Sequence, residues 1–384
     1  MTNSNKILVI WSGEVNDTSV GSNYIKSYLK KLNYDLVDFF NIPTSSSILP
    51  DSLKRLYSIP ITADIVLTQW LKIESNKTLK SLISTLKNNT ITSIWFFANS
   101  MESITIVNNL IVHLDLNNIK LNTFVWDSID YLKSSRRISK RRKKEIDLSY
   151  ANILHSSHNI ACISQGMKNN LISKLNYSHE DELRKLIILP FPIETYTPRT
   201  HKSVRDNKIN IVFVGSTYAW KEWNSFIKIL DKINWTVNGK TINFHVYGKP
   251  NIRSRLYECR EQIIYYSPLQ HNKLISEIAK FDYGYLPYYY DENKREVVTT
   301  SLPGKLSTYI ESQLPIIFHG PEYSSAASLI RQYNIGVIVE YRKSMDLAQL
   351  IEKLHSIELN NFDQCFSDFY NIDNYIADLE SLMQ

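Results

Sequence analysis

The chain reads as an α/β protein of two doubly wound, Rossmann-like domains facing a cleft. Three observations carry this. Strand-like and helix-like segments alternate through both halves, the strand segments are continuous apolar runs, and one break in the pattern separates the halves. Alternating βα units build parallel sheets with helices on both faces, and strands buried on both faces lose the polar alternation of a half-exposed strand. A length of 384 residues suits two domains.

Taken in order, strands are expected at 6–11 (KILVIW), 35–40, 64–68 (DIVLT), 93–97 (SIWFF), 122–126 (NTFVW), 159–163 (NIACI) and 186–189. A loop at 12–20 leads into a helix at 21–32, and helices are expected at 76–87 and 165–174. The stretch 191–207 (FPIETYTPRTHKSVRDN) has two prolines, several charges and little apolar content, which marks an interdomain linker. Strands then follow at 209–214, 242–247, 262–266, 283–286, 315–318 and 336–339, with helices at 223–233, 272–280, near Pro303, and at 345–355 and 371–383. The domains are therefore expected at 1–192 and 208–365, joined by a linker at 193–207, with a C-terminal helix at 366–384 crossing back to the first domain.

Composition excludes several classes. Charged residues make up 21% and apolar ones 43%, as in a globular protein with ample core. Cys162, Cys259 and Cys365 show no CxxC spacing, so neither a disulfide framework nor a zinc site is expected. No window approaches 18 consecutive apolar residues, and the N-terminal apolar run is too short for a secretory signal, so a cytoplasmic location is expected. A net charge of +6 mildly favours anionic partners without singling out nucleic acid.

The densest chemistry lies at 281–320, where a buried strand is followed by a polar loop, a helix start and a second buried strand. The loop carries Lys294, Arg295 and Glu296, then Thr299, Thr300 and Ser301, and Pro303, Gly304 and Lys305 open the helix. Ligands of parallel sheets bind outside the carboxyl ends of the strands, where helix N-termini present amide donors. A lysine there, beside hydroxyls, suits a phosphate attached to a sugar; an ordinary βα unit with a solvated loop uses the same residues. Earlier, INIVFVGSTYAWK at 209–221 ends a strand on Gly215, followed by Ser216, Thr217 and Lys221. This is either a plain tight turn or a diphosphate cradle, and it is not a Walker loop. The next strand also ends on glycine, Gly248, followed by Lys249.

In this order, FVGSTYAWK, FHVYGKP, LPGKLSTYIESQLPIIFHG and IGVIVE, across about 209–340, the chain resembles the donor domain of GT-B glycosyltransferases of the group 1, or family 4, type. The resemblance implies transfer of a sugar from a nucleotide diphosphate sugar to a saccharide, lipid-linked or small-molecule acceptor, with domain closure and no cofactor or metal. It places Gly215 and Lys221 on the donor diphosphate, with Ser216 where an arginine is usual. The ribose-binding glutamate of the pattern falls on Thr308, and the earlier acidic position on Thr300. A threonine takes only part of a carboxylate's role toward vicinal hydroxyls, so Glu296 or Glu311 is a substitute, or Glu311 is simply solvated.

By the same resemblance the first half is the acceptor domain, with Gly13 and Gly21 near the sugar phosphates. Asp127 in TFVWDSIDYL becomes the leading cleft carboxylate and Asp130 the second, either able to deprotonate an acceptor hydroxyl in an inverting enzyme. In a retaining enzyme no such base is required, and stabilisation of the leaving group by Lys221 and Lys305 would dominate. Asp127 also reads as a helix N-cap. His155 and His158 lack a third metal ligand, and His113 and His245 read as structural. The basic run at 133–144 is either a peripheral contact with an anionic surface at the inner membrane, or a solvated helix face. It lacks the interleaved aromatics of single-strand nucleic-acid binders. Two other functions fit the architecture: a sugar-nucleotide epimerase, and a non-catalytic binding homologue.

Overall fold

A computed structural model describes residues 6–12, 37–45, 60–89, 91–114, 118–135, 138–179, 185–193, 196, 207–248, 261–340 and 346–381. The chain divides into two compact units, Met1–Pro190 together with Asp373–Gln384, and Phe191–Ile372. Most of the expected linker lies outside the described residues, as do the helix expected at 21–32 and Gly13, Gly21, Lys249 and Cys259.

The first unit contains β1 (Lys6–Ser12), β2 (Val37–Ile42), α1 (Pro60–Ile73), α2 (Ser75–Asn88), β3 (Ile91–Phe97), α3 (Met101–His113), β4 (Lys120–Val125), α4 (Ile129–Ser135), α5 (Lys140–Ser156), β5 (Asn159–Cys162), α6 (Gln165–Leu175) and β6 (Leu186–Ile188). The strands pair in parallel in the order β2-β1-β3-β4-β5-β6. Ile7 to Ile10 are fully buried along β1, so neither face of the strand meets water, as the unbroken apolar run implies. Strand order reverses between β1 and β3. The crevice outside the ends of those two strands is the switch point where open α/β sheets take ligands.

One expected strand is a helix. Residues 64–68 belong to α1, where the Thr68 hydroxyl donates to the Asp64 carbonyl one turn back at 2.7 Å. The β-branched run suggested a strand, but Val66, Leu67 and Trp70 are buried whereas Ile65 and Ile73 are exposed. That is one face of a helix, a period the short window concealed.

The second unit contains β7 (Lys208–Val214), α7 (Trp220–Lys232), β8 (Thr236–Val237), β9 (Lys240–Tyr247), β10 (Ile263–Tyr266), α8 (His271–Ile278), β11 (Tyr283–Pro287), α9 (Arg295–Thr300), α10 (Gly304–Glu311), β12 (Ile316–His319), α11 (Ser325–Tyr333), β13 (Gly336–Val339), α12 (Leu347–His355) and α13 (Asn360–Cys365). A last helix, α14 (Ile372–Ser381), belongs from Asp373 onward to the first unit. The parallel order is β10-β9-β7-β11-β12-β13, which reverses between β7 and β11. The two-residue β8 pairs antiparallel with β9. Asn238 and Gly239, both with positive φ, make the tight turn between them, an Asn-Gly signal present in the sequence. The polar loop after β11 is also more ordered than expected, since it winds into a 3₁₀ turn at Glu292–Lys294 and then α9.

Aromatic residues fill the second core. Phe226 of α7 stacks on Tyr285 of β11 at 4.3 Å, and Trp223 meets Phe213 and Phe244 edge to face. Tyr309 fastens α10 to the sheet: its hydroxyl donates toward the carbonyls of Tyr285 (2.9 Å) and Val212 (3.3 Å) and accepts from the Val214 amide (3.3 Å). Gly284 makes room for that ring, because a Cβ there would lie 2.9 Å from it.

Candidate functional site

The site begins where β7 and β9 end. Gly215 follows β7 with φ +77°, and its amide donates to the Tyr247 carbonyl at 2.6 Å. Gly248 follows β9 with φ +155°, and a Cβ on it would sit 2.4 Å from the Gly215 carbonyl oxygen. Both positions need glycine, one for its conformation and the other for close backbone contact as well. Gly215 and Ser216 are exposed on this turn while Thr217 is buried.

Helix α10 supplies the positive side. Its N-cap, Pro303, has no side-chain capping bond, and Gly304 is exposed, so the first-turn amides are open to an anion. Lys305 lies in that turn with its Nζ 4.5 Å from the Tyr218 ring centroid and 5.3 Å from that of Phe213. A Cβ on Gly215 would be 3.6 Å from the same Nζ, which places the ammonium beside the glycine turn. Among the described residues no carboxylate pairs with Lys305, and burial lowers its pKa to about 8. Among the described residues the buried Tyr218 and Ser301 hydroxyls have no hydrogen-bond partner. Tyr218 packs on Tyr288, whose own hydroxyl reaches the Ser301 carbonyl at 3.4 Å. A desolvated, unpaired ammonium is costly unless an anion completes it.

Other expected site residues are placed differently. Lys221, in the first turn of α7, is exposed and lines a hollow of about 500 Å³ with Glu222, Tyr290, Asp291, Glu322 and Glu340. Its surroundings are thus mostly acidic, whereas Gly215, Gly248 and Lys305 gather at one point. Arg295 pairs with Glu292 at 3.2 Å and lies 4.2 Å from the Tyr323 ring. The Thr300 hydroxyl donates to the Glu296 carbonyl at 2.7 Å and that of Thr308 to the Gly304 carbonyl at 3.2 Å, so both bond back onto their own helices. Glu311 is buried, not solvated, and its carboxylate lies 2.8 Å from His271 Nε2.

In the first unit, Asp127 is half-buried just beyond β4, and burial raises its pKa. It does not cap α4: the Ser128 hydroxyl accepts the Tyr131 amide at 3.2 Å and does that work. Asp130 instead pairs with Lys133 (2.6 Å) and Lys174 (2.9 Å), and Lys133 also pairs with Asp147. Lys133 is buried, so the basic run presents Lys140, Arg141 and Lys144 to solvent, and Arg141 and Arg142 both pair with Glu145. Among the described residues no cluster of His, Cys, Asp and Glu is suited to a metal ion, and no helix is long and apolar enough to cross a membrane.

Sequence reasoning passed over Tyr218, three positions after Gly215, and the aromatic residues at the switch point of the first sheet. There Trp11, Phe97 and Trp126 meet edge to face, with centroids 4.9 to 5.6 Å apart.

Across its whole length the chain matches solved structures of sugar-transferring enzymes. One is a sucrose-phosphate synthase from Thermosynechococcus elongatus, at 11% identity and a TM-score of 0.66, covering 98% of each chain. Another is an α,α-trehalose-phosphate synthase (UDP-forming) from Burkholderia vietnamiensis, at 11% identity and a TM-score of 0.61, covering 99% of each chain. A third, described as trehalose-6-phosphate from E. coli bound with UDP-2-fluoro glucose, matches at 10% identity and a TM-score of 0.66, covering 99% of each chain. The chain has the GT-B fold. At such identities the likeness is one of fold. Residues 225–378 match the family model of the Glucosyltransferase 3-like, C-terminal domain. No curated protein matches by sequence. In this GT-B chain the second switch point carries paired glycine turns and a lysine, and the first carries aromatic rings and a carboxylate.

Proposed function

We propose that the chain is a glycosyltransferase of the group 1, or family 4, type that moves a sugar from a nucleotide diphosphate sugar to a saccharide, lipid-linked or small-molecule acceptor. The observation that carries this is Lys305: a desolvated ammonium with no carboxylate partner among the described residues, beside two glycine turns and an open helix N-terminus. As the bond between the anomeric carbon and the phosphate oxygen breaks, negative charge grows on the diphosphate. Lys305 and the α10 amides face that charge with fixed positive ends, so no metal is needed for it. The new bond forms to an acceptor oxygen; in an inverting reaction its proton passes to Asp127, whose pKa burial raises, and in a retaining one the proton leaves with the departing phosphate oxygen and no protein base is required.

UDP-glucose heads the panel of donors to be tried. The Burkholderia vietnamiensis synthase is named UDP-forming, the E. coli structure holds UDP-2-fluoro glucose, and the matched family model is named for a glucosyltransferase. Calorimetric titration with UDP, GDP, dTDP and ADP sugars tests the reading, and silence from every one of them refutes it. Thr300 and Thr308, whose hydroxyls bond to their own helices, favour one second reading, a homologue that binds sugar nucleotides without transfer. Binding without release of nucleoside diphosphate in the presence of acceptors would establish it. A cytoplasmic location, with peripheral contact of Lys140, Arg141 and Lys144 on anionic lipid, belongs to the same proposal, and co-sedimentation with phosphatidylglycerol vesicles tests the contact.

A further inference from the structure

The first sheet ends in a wall of aromatic rings at its switch point. Trp11 is the penultimate residue of β1, Phe97 closes β3, and Trp126 follows β4. Phe97 stacks on Phe124 at 4.4 Å beneath them, and Phe124 continues to Trp95 in the core. Trp126 is therefore braced from two sides, by Trp11 at 5.5 Å and Phe97 at 4.9 Å. Its indole is half-buried, so part of the ring still meets water. Asp127 is the next residue. Tyr131, 39% exposed on α4, lies close enough for the Asp127 charge to act on its phenol. Ser12, beside Trp11, is tied to Asn99 by a pair of bonds, 2.8 and 3.3 Å, which fixes the ends of β1 and β3 together.

We infer that Trp126 is the stacking platform for a pyranose ring of the acceptor, with Asp127 beside it to bind the ring's hydroxyl edge, so that the acceptor at this point is a saccharide. An aromatic face is electron-rich, and the C–H hydrogens on one face of a pyranose carry slight positive charge, so the two surfaces attract as aromatic edges and faces do. The polar rim of the sugar then needs a few well-placed partners, and the Asp127 carboxylate provides one. The site's charge argues against a phosphate in the same place. Asp127 is anionic when ionised, and the nearby lysines are already engaged, Lys133 by Asp130 and Asp147 and Lys174 by Asp130. A lipid phosphate brought to Trp126 would meet repulsion from Asp127, and the two described lysines of α4 and α6 are already held by carboxylates.

This inference rests on the transferase reading for the word acceptor, and the two are tested separately. Saturation-transfer NMR is run on the full chain with the methyl glycosides of glucose, galactose, mannose and N-acetylglucosamine, and with decyl phosphate. At least one glycoside is expected to receive saturation at the C–H protons of one ring face. Trp126→Ala is expected to weaken that binding at least tenfold, and Trp126→Phe to retain most of it. Thermal melts of both variants report whether they fold. Should Trp126→Ala fail to fold, a Trp126→Phe chain that binds at unchanged strength but with its saturation pattern moved to the phenyl-facing protons supports the platform, and an unmoved pattern overturns it. Saturation of decyl phosphate alone, silence from all four glycosides, or unchanged binding in a folded Trp126→Ala chain also overturns it. A calorimetric UDP-glucose titration of the wild-type chain is the separate arm. If glycosides bind and no sugar nucleotide does, the platform stands and the transferase reading falls.

Discussion

Donor affinity is expected to fall with rising pH through the titration of Lys305. A pKa of about 8 leaves the free ammonium about nine-tenths charged at pH 7 and about one-tenth charged at pH 9. Both phosphates of a nucleotide sugar stay ionised across that range, so the change belongs to the protein. If only the charged form holds the diphosphate, the dissociation constant rises about tenfold between pH 7 and pH 9, roughly 1.4 kcal/mol. The sign follows from linkage. The anion raises the lysine's pKa on binding, so the affinity is complete below the free pKa and is lost as pH rises through it. Calorimetry with UDP-glucose in buffers of different ionisation enthalpy should register about half a proton taken up per site at pH 8. Lys305→Arg, always charged, is expected to flatten the profile, and Lys305→Ala to flatten it at a weaker affinity. A wild-type affinity that holds within twofold from pH 7 to pH 9, or the same slope in Lys305→Arg, would refute the reasoning.

Three further outcomes are expected. Tyr309→Phe strips a hydroxyl that serves three buried backbone groups, and urea unfolding should show a loss of about 1–3 kcal/mol with an unchanged m-value. Gly248→Ala drives a methyl group to 2.4 Å from the Gly215 carbonyl, so the two turns must separate; calorimetry should show weakened sugar-nucleotide binding together with a lower melting temperature. His319 is buried against Tyr285, and burial lowers its pKa to about 4. The unfolded chain binds that proton first as pH falls below 6.5, so native stability is full above 6.5 and declines toward pH 4, by about 3 kcal/mol at most from this group. Chemical unfolding at pH 7 and pH 4.5 should show a smaller difference in His319→Phe than in wild type, and an equal difference would acquit the histidine.

Much of the fold was legible because parallel strands buried on both faces leave unbroken apolar runs. β1, β3, β7 and β11 fall within a residue or two of where those runs lie. The run at 64–68 misled for the same reason, since five residues cannot distinguish a buried strand from the inner face of α1. Glycines also read well: Gly215 and Gly248 stand at strand ends where their backbone freedom is used. Partnership did not read. Nothing in the sequence reveals that Asp130 is held by two lysines, that Ser128 relieves Asp127 of capping, or that Lys221 turns into an acidic hollow while Lys305 stays unpaired. Those are contacts between segments tens of residues apart, and a linear pattern records spacing without recording which side chains meet. Trp126 was visible as the end of an apolar run and was read only as part of it.

The hydroxyl of Tyr309 has a consequence for how this protein can change. It pins α10 to the strands at a point one helical turn below Lys305, so that lysine is registered against the sheet from beneath rather than from the loop above it. The segment between Tyr288 and Pro303 is thereby released from the duty of positioning that lysine. If Lys305 holds the diphosphate as proposed, substitutions in that segment are expected to alter the choice of sugar more than the seat of the leaving group. A single buried oxygen atom thus ties the helix to the sheet from within the core.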